Sequence, residues 1–330
     1  MYQIKLSSIA LFIFLNYSCL NAQQNKALDN VQLTSKNEVY NVSSLKITCL
    51  STMLANRGVG EWGYSALVEV DDHKILFDTG RRPETVLQNA EELGIDLSDV
   101  QDVFLSHNHG DHTGGILTLR KELKKLNPKA ISRVHVGEGI FGKRVNSDNE
   151  MISIKKELEA DGVEIIVHSN KNELFPGVWI TGPIKRIHNE RNWSGNGKIE
   201  TENGIVEDNI PEDQSLVIDA QDGLILLSGC GHAGIVNTLE HIRSNINDKN
   251  IYVAIGGFHL INATDDHLKW TASKMQDFGV SKIIGAHCTG INALYSLKAL
   301  MNLDRSNAVV GSVGDRFDLE NGIQAGIIAR

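Results

Sequence analysis

The chemistry-bearing residues of this chain crowd into one decapeptide, Ser106-His107-Asn108-His109-Gly110-Asp111-His112-Thr113-Gly114-Gly115. Three histidines and an aspartate fall within six residues. The spacing lets His107 and His109 converge on one point, while Asp111 and His112, one turn on, face a neighbouring point. Imidazole and carboxylate donors suit zinc, iron or manganese. Gly110, Gly114 and Gly115 let the backbone turn tightly around the cluster. With 12 histidines in 330 residues, chance is a poor explanation for this density, and the run reads as a metal centre.

The remaining candidates carry less. His73 lies in a hairpin turn, and His241 and His267 lie on helical stretches. His135, His168 and His188 have no partner that spacing names. All six read as exposed or satisfied core histidines. Trp62 and Trp193 sit in polar, glycine-containing loops that could border a pocket mouth, although loop packing accounts for them equally well. Arg57, Lys185, Arg186 and Arg191 could pair with an anionic substrate, with a solvated surface as the default for each.

The elements that must position the cluster alternate between strand and helix. Leu45 to Leu54, Ser65 to Val70 and Lys74 to Phe77 are strand-like, with Asp71-Asp72 turning the last two into a hairpin. Pro83 to Leu93 reads as a helix that stops at Gly94. A buried strand over Val100 to Leu105 delivers the histidine run, and a helix follows at about Ile116 to Leu126. A strand over 131–136 closes the first half. Residues 137–212 are irregular and polar, with short strands near 163–167 and 178–181 and a loop-rich insert at 188–211. The second half repeats the rhythm. A hairpin over Leu216 to Leu227 leads into the loop Ser228-Gly229-Cys230-Gly231-His232 and a helix over 233–245. Strand 251–255, helix 265–278, strand 281–285, the loop His287-Cys288-Thr289-Gly290 and helix 291–302 follow. Such a chain suits two sheets packed face to face with helices outside.

Composition narrows the function classes. The chain has 32 Lys and Arg against 41 Asp and Glu, a net charge of -9. It offers no basic stripe, so a nucleic-acid partner is not expected and a small-molecule substrate is. The first 22 residues read as an export signal: Lys5 is the only charge, Ile9 to Leu15 is apolar, and Leu20-Asn21-Ala22 offers a cleavage site. Seven apolar residues are too few to span a bilayer, and no later run is long enough. Cys19 leaves a lipid-anchored form as the alternative, although Asn16-Tyr17-Ser18 suits that signal poorly. A polar lead-in over 23–44 and one domain over 45–330 complete the expected organisation. Once Cys19 leaves with the signal, Cys49, Cys230 and Cys288 are an odd number, which argues against a disulfide framework. They read as buried small thiols, with Cys230 and Cys288 beside histidines. The sequence sets no oligomeric state.

The run HNHGDH resembles the HxHxDH signature of the metallo-β-lactamase fold superfamily. Phe77-Asp78-Thr79-Gly80 resembles the aspartate-containing turn that precedes it in that family. Gly231-His232 and His287 stand at the third and last histidine positions. The resemblance covers nearly all of 45–330. In finer detail the chain resembles the 7,8-dihydropterin-6-yl-methyl-4-(β-D-ribofuranosyl)aminobenzene-5'-phosphate synthase subgroup, through Glu61-Trp62-Gly63-Tyr64-Ser65, Glu212-Asp213-Gln214-Ser215-Leu216, Gly229-Cys230-Gly231-His232-Ala233-Gly234, Gly256-Gly257-Phe258-His259-Leu260 and Ala286-His287-Cys288-Thr289-Gly290.

The resemblance implies an α+β fold, a four-layer αββα sandwich of two mixed sheets with outer helices. It implies one or two divalent metal ions, zinc first and iron or manganese as alternatives. His107, His109 and His232 would hold one, and Asp111, His112 and His287 the second. Asp78 would accept hydrogen bonds that orient a ligand. Many members bridge the two metals with an aspartate between the third and last histidines. Here that stretch, Val253 to His259, has no carboxylate, so the bridge is missing or replaced. His259 is the available substitute, either as a ligand or as a donor to substrate.

The expected activity is hydrolysis of a phosphoester, lactone or amide by metal-activated water, with Asp111 orienting or deprotonating that water and His259 as the second catalytic candidate. The alternatives are a transferase of the synthase type, whose intracellular substrate fits an exported chain poorly, and a non-catalytic metal-dependent binding protein. The leader generates the first prediction. The mature protein should begin near Gln23 and lie outside the cytoplasm. Mass spectrometry of the native protein reads this directly, and an intact Met1 or a lipid on Cys19 would contradict it.

Overall fold

The computed structural model describes residues 42–193 and 195–329. The expected leader, Cys19 and nearly all of the polar lead-in lie outside the described residues.

Two mixed sheets dominate. The first has eight strands in the order Gly322–Gln324, Arg316–Asp318, Leu45–Ser51, Ser65–Val70, His73–Phe77, Asp102–Phe104, Arg133–Gly137 and Glu164–His168. The second has seven, in the order Ala308–Val310, Lys282–Gly285, Ile251–Gly256, Gly223–Ser228, Ser215–Ala220, Val178–Ile180 and Asn172–Phe175. Each sheet contains both parallel and antiparallel pairs.

The layering follows from the period of two along each strand. Ala66, Val68, Ile75 and Phe77 of the first sheet meet Leu216, Ile218, Ile225, Leu227, Val253 and Ile255 of the second in one buried cluster. The alternate residues Leu67, Leu76 and Val103 face outward, under helices Thr85–Leu93, Ile116–Leu123 and Glu150–Ala160. On the other side Val217, Leu224, Leu226 and Ala254 face helices Ile235–Asn245, Asp265–Asp277 and Ile291–Leu300. Both faces of both sheets are covered, which is why these strands read as nearly continuous apolar runs. This is the expected αββα sandwich.

Three features depart from the sequence reading. Residues 137–212 contain a helix, Glu150–Ala160, capped by the Asn149 side chain accepting from the Met151 N–H. Only Met151, Ile154 and Leu158 anchor it among charged residues, so its apolar stripe is thin. The insert at 188–211 holds a hairpin, Lys198–Thr201 with Gly204–Glu207. The helix expected over Pro83 to Leu93 begins at Thr85, beyond Pro83. The backbone N–H groups of Arg81 and Arg82 donate to the buried Glu61 carboxylate at 2.8 and 3.0 Å, and Thr85 Oγ1 donates to it at 2.9 Å. A carboxylate at this helix start suits the unpaired N–H groups and the positive end of the helix dipole.

One buried polar chain lies outside the histidine loop. His168 Nε2 lies 3.0 Å from His135 Nδ1, and His135 Nε2 donates to Asp102 at 3.0 Å. Arg133 grips the same carboxylate with two bonds of 2.6 Å. Burial works against the Asp102 charge, but the bonds from His135 and Arg133 outweigh it and hold its pKa below the usual carboxylate range. These histidines are therefore satisfied core groups. Burial, reinforced by His135, pulls the His168 pKa down from 6.5 to about 4. Between those values the unfolded chain takes up a proton that the folded chain refuses, so this group's contribution is full above pH 6.5 and lost as pH falls toward 4. Chemical denaturation of metal-free protein should show stability declining across that window. His168→Gln should make the decline shallower, and an unchanged slope would remove His168 as a cause.

Candidate metal centre

Strand Asp102–Phe104 ends at the seam between the sheets, and the loop after it carries Ser106 to His109. Asp78 stands where the neighbouring strand His73–Phe77 ends. Its carboxylate is fully buried and accepts from the Ser106 N–H at 2.8 Å, the Ser106 Oγ at 2.7 Å and His112 Nδ1 at 2.7 Å. The backbone reinforces the grip. Thr79 N–H donates to the His112 carbonyl at 2.7 Å, and Gly114 N–H to the Gly80 carbonyl at 2.9 Å. The loop over 229–231 closes onto the same place. A Cβ on Gly229 would stand 2.1 Å from Ser106 Oγ and 2.9 Å from Asp78 Oδ2, so only glycine fits there.

These contacts orient the imidazoles. His112 donates through Nδ1 to Asp78, which leaves Nε2 facing the centre. His107 Nδ1 lies 2.9 Å from Ser106 Oγ, whose proton goes to Asp78, so His107 also turns Nε2 inward. His232 Nδ1 donates to the Asn192 carbonyl at 2.5 Å. Its Nε2 is buried with no hydrogen-bond partner, as is Nδ1 of His287. Buried ring nitrogens without partners are costly unless something else fills that role.

Two groups of donor atoms result. Those of His107, His109 and His232 lie within 4.8 Å of one another, and so do those of Asp111, His112 and His287. His107 Nε2 stands 3.0 Å from His109 Nδ1. Asp111 Oδ2 stands 3.2 Å from His287 Nε2 and 4.0 Å from His112 Nε2. Ligands of one tetrahedral cation, with bonds of ~2.0–2.3 Å, stand roughly 3.3–3.8 Å apart. Donor type, spacing and the orphaned nitrogens all fit a divalent cation at each group.

The electrostatics agree. Burial, helped by the neighbouring imidazoles, pushes His107 and His232 well below their ordinary pKa. Burial brings His109 down to about 4. These rings are therefore neutral at pH 7, as ligands must be. Burial also opposes charge on His112, but Asp78 outweighs it and raises the pKa to about 9. A cation bound there must displace a proton from His112. At Asp111 burial favours the neutral acid, yet contacts with His287 and His112 prevail and hold the carboxyl far below its usual range.

His259 lies elsewhere in the site. Its ring centroid is 4.7 Å from that of His232, but its nitrogens join neither donor group among the described residues. It lines a cleft of about 860 Å³ that opens over His109 and His232 and is walled by Trp193, Asp208, Asn262 and Thr264. Asp78, His259 and His287 all have positive φ, at 52°, 49° and 47°. A left-handed backbone costs about 1–3 kcal/mol at a residue other than glycine and gathers at functional sites. Trp62 stands over His287, with ring centroids 4.8 Å apart. Arg191 borders the cleft, but Glu207 already pairs with it, and Trp193 Nε1 donates to the same carboxylate at 2.8 Å. Arg57 is engaged by Glu92.

Sequence reasoning missed several members of this arrangement. Asn192 acts through its backbone carbonyl, which carries no residue-type signal. Glu61 is a lone acid in a loop. Glu190, pushed up to about 7 by burial, accepts from the Val236 and Asn237 N–H groups at a helix start. Cys230 and Cys288 are buried and free, as expected, but Cys230 Sγ lies 3.1 Å from His112 Nε2.

The fold belongs to a known class. The metallo-beta-lactamase superfamily model matches residues 63–236, and the chain belongs to that superfamily, whose fold binds divalent metal. Within it, the chain is 32% identical over 270 residues to 7,8-dihydropterin-6-methyl-4-(beta-D-ribofuranosyl)-aminobenzene-5'-phosphate synthase of Methanocaldococcus jannaschii, covering 76% of this chain and 90% of that one. Among solved structures it is similar to Tm1679, described as a metal-dependent hydrolase of the beta-lactamase superfamily. The TM-score is 0.66 at 26% identity, over 83% of this chain and 98% of that one. The fold is also shared with Zn(2+)-bound PqqB of Methylobacterium extorquens, with TM-score 0.52 at 13% identity, over 83% of this chain and all of that one.

Two predictions follow from this geometry. His107→Ala or His232→Ala should lose stoichiometric metal at the three-histidine group, because two imidazoles hold a cation weakly; metal analysis after dialysis decides it. Asp78→Ala should weaken metal affinity by roughly 10–100-fold, the usual effect of removing a ligand's orienting partner. An affinity unchanged in calorimetric titration would refute the orienting role.

Proposed function

We propose that this chain is a divalent-metal-dependent enzyme that hydrolyses a small phosphoester, lactone or amide. One observation carries the reading. Two donor groups, His107, His109 and His232 with Asp111, His112 and His287, stand side by side, and His109 and His232 of the first open onto a cleft. Zinc is the preferred metal for this imidazole-rich set, with iron and manganese as competitors. When bound, a divalent cation polarises a carbonyl or phosphoryl oxygen and acidifies water. Asp111, ionised and partly exposed, orients the attacking water and accepts its proton. His259, kept neutral by burial, donates a hydrogen bond to the substrate from the cleft wall. Asn262, Thr264 and Asp208 offer further polar contacts there.

Group transfer is the second reading, favoured by the 32% identity to the archaeal synthase. The export reading rests on the N-terminal sequence, and it argues against an intracellular pterin precursor as the substrate.

Metal-loaded protein should turn over one of a panel of phosphodiester, lactone and β-lactam substrates, assayed beside the dihydropterin condensation. Condensation without hydrolysis would support transfer. Full metal content with no turnover on any class would reject catalysis. His259→Ala should lower kcat by about 10-fold or more, within the usual range for a lost proton-transfer or hydrogen-bonding group, with metal content unchanged. A loss of metal in that variant would make His259 a ligand instead.

A further inference from the structure

The cleft over His109 and His232 is lined by one donor group only. A second opening, of about 550 Å³, touches both, being lined by His109 of the first group and Asp111 of the second, with Arg81 and Glu150 beside them. The Arg81 backbone is locked in place. Its N–H donates to the buried Glu61 carboxylate at 2.8 Å. A Cβ on Gly114 would collide with its carbonyl oxygen, and one on Gly63 would stand 2.7 Å from its nitrogen and 3.0 Å from the Asp111 carbonyl oxygen. Arg81 is thus packed against the segment that carries Asp111. Its side chain is in the opposite condition. It is exposed, and the guanidinium makes no hydrogen bond or ion pair among the described residues. The arginines that the sequence offered for an anionic substrate are engaged elsewhere. Glu92 pairs with Arg57, Glu207 pairs with Arg191, and Arg186 donates to the carbonyls of Asn209 and Ile210.

We propose that Arg81 is a substrate-binding residue whose guanidinium grips the non-bridging oxygens of a phosphoester entering through this opening, with the phosphoryl group beside Asp111. The inference rests on the metal-enzyme reading above and narrows its three substrate classes to the phosphoester. The fork of N–H donors on a guanidinium matches two oxygens of a phosphoryl group, and each bond is strengthened by opposite charge. A lactone or an uncharged amide offers that fork nothing comparable. The surroundings make such a cation necessary for an anionic substrate. Asp111 and Glu150 line the same opening, and the chain carries a net charge of -9. Without Arg81 the protein side chains at this mouth would repel a phosphate. The rigid backbone under Arg81 lowers the cost of holding the fork in position, because only the side chain remains to be ordered.

The test uses the full mature chain loaded with zinc and titrated with inorganic phosphate in a calorimeter. Arg81→Gln should weaken phosphate binding by about 10-fold or more, the size of a lost charge-assisted hydrogen-bonded pair, with metal content unchanged. Arg82 is the control: it is the next residue, equally charged and exposed, and it does not line the opening. Arg82→Gln should change phosphate affinity by less than about 2-fold, as a screened surface charge does. Equal losses in the two variants would mean that net charge alone attracts phosphate, and would overturn the proposal. Arg81→Lys keeps the charge without the fork and should recover only part of the affinity; full recovery overturns the two-oxygen grip. In turnover, the preference for bis(p-nitrophenyl) phosphate over a neutral lactone, taken as the ratio of kcat/KM values, should fall by about 10-fold in Arg81→Gln. An equal fall on both substrates overturns the specificity role while the metal enzyme stands, whereas a chain that takes up no metal overturns both. The phosphate titration reads Arg81 even if neither substrate is turned over.

Discussion

The centre depends on one buried carboxylate. Asp78 is removed from water, and an ionised acid there is tolerable only if its oxygens are hydrogen-bonded. Ser106 supplies two donors and His112 a third. The same three bonds join the ends of two adjacent strands, set the His112 tautomer and, through the Ser106 hydroxyl, set that of His107. Positioning therefore comes from elements within the sandwich, and the histidine loop inherits their rigidity. Gly229 extends the constraint to the second sheet, because its missing side chain is what lets the loop carrying Cys230 and His232 approach Asp78.

A second buried acid performs the parallel task on the outer side. Glu61 accepts from Ser51 Oγ, two backbone N–H groups and Thr85 Oγ1. It pins the turn after Asp78 and the start of the following helix to the loop bearing Trp62, which stands over His287. The Arg144 guanidinium does similar work under the insert. It binds Asp208 at 2.9 Å and both Glu212 oxygens at 2.9 Å, while donating to three carbonyls over 139–142. Burial still pushes Glu212 up to about 7 against the pull of Arg144. Breaking one partner of such a pair leaves an uncompensated buried charge, so the cleft wall is held as firmly as the metal centre.

This explains what could be read from the sequence. The sandwich was legible because apolar runs, hairpin turns and helix stops carry residue-type signals at short range. The donor residues were legible because metal chemistry restricts them to histidine and aspartate at tight spacing. Helix Glu150–Ala160 was not, since three apolar anchors among charges leave a weak stripe. Nor were contacts made by backbone, such as the Asn192 carbonyl on His232, or by residues more than a hundred positions apart, such as Cys230 on His112. Sequence spacing carries information about a loop; it carries little about which distant loops the sheets bring together.

The same asymmetry separates the centre from the substrate. Donor groups sit at strand ends and on short turns that the two sheets hold in common register, so their arrangement is a property of the fold. The cleft is walled by the polar insert around 188–211 and the segment over 257–267, which connect elements without forming the sheets. Such connections can change in length and side chain without disturbing Asp78 or its partners. Arg191 and Trp193 illustrate the consequence: both line the cleft, yet both are tied to Glu207, so the wall is shaped by contacts within the insert itself. Class of chemistry and identity of substrate are thus encoded in different parts of the chain, under different physical constraints.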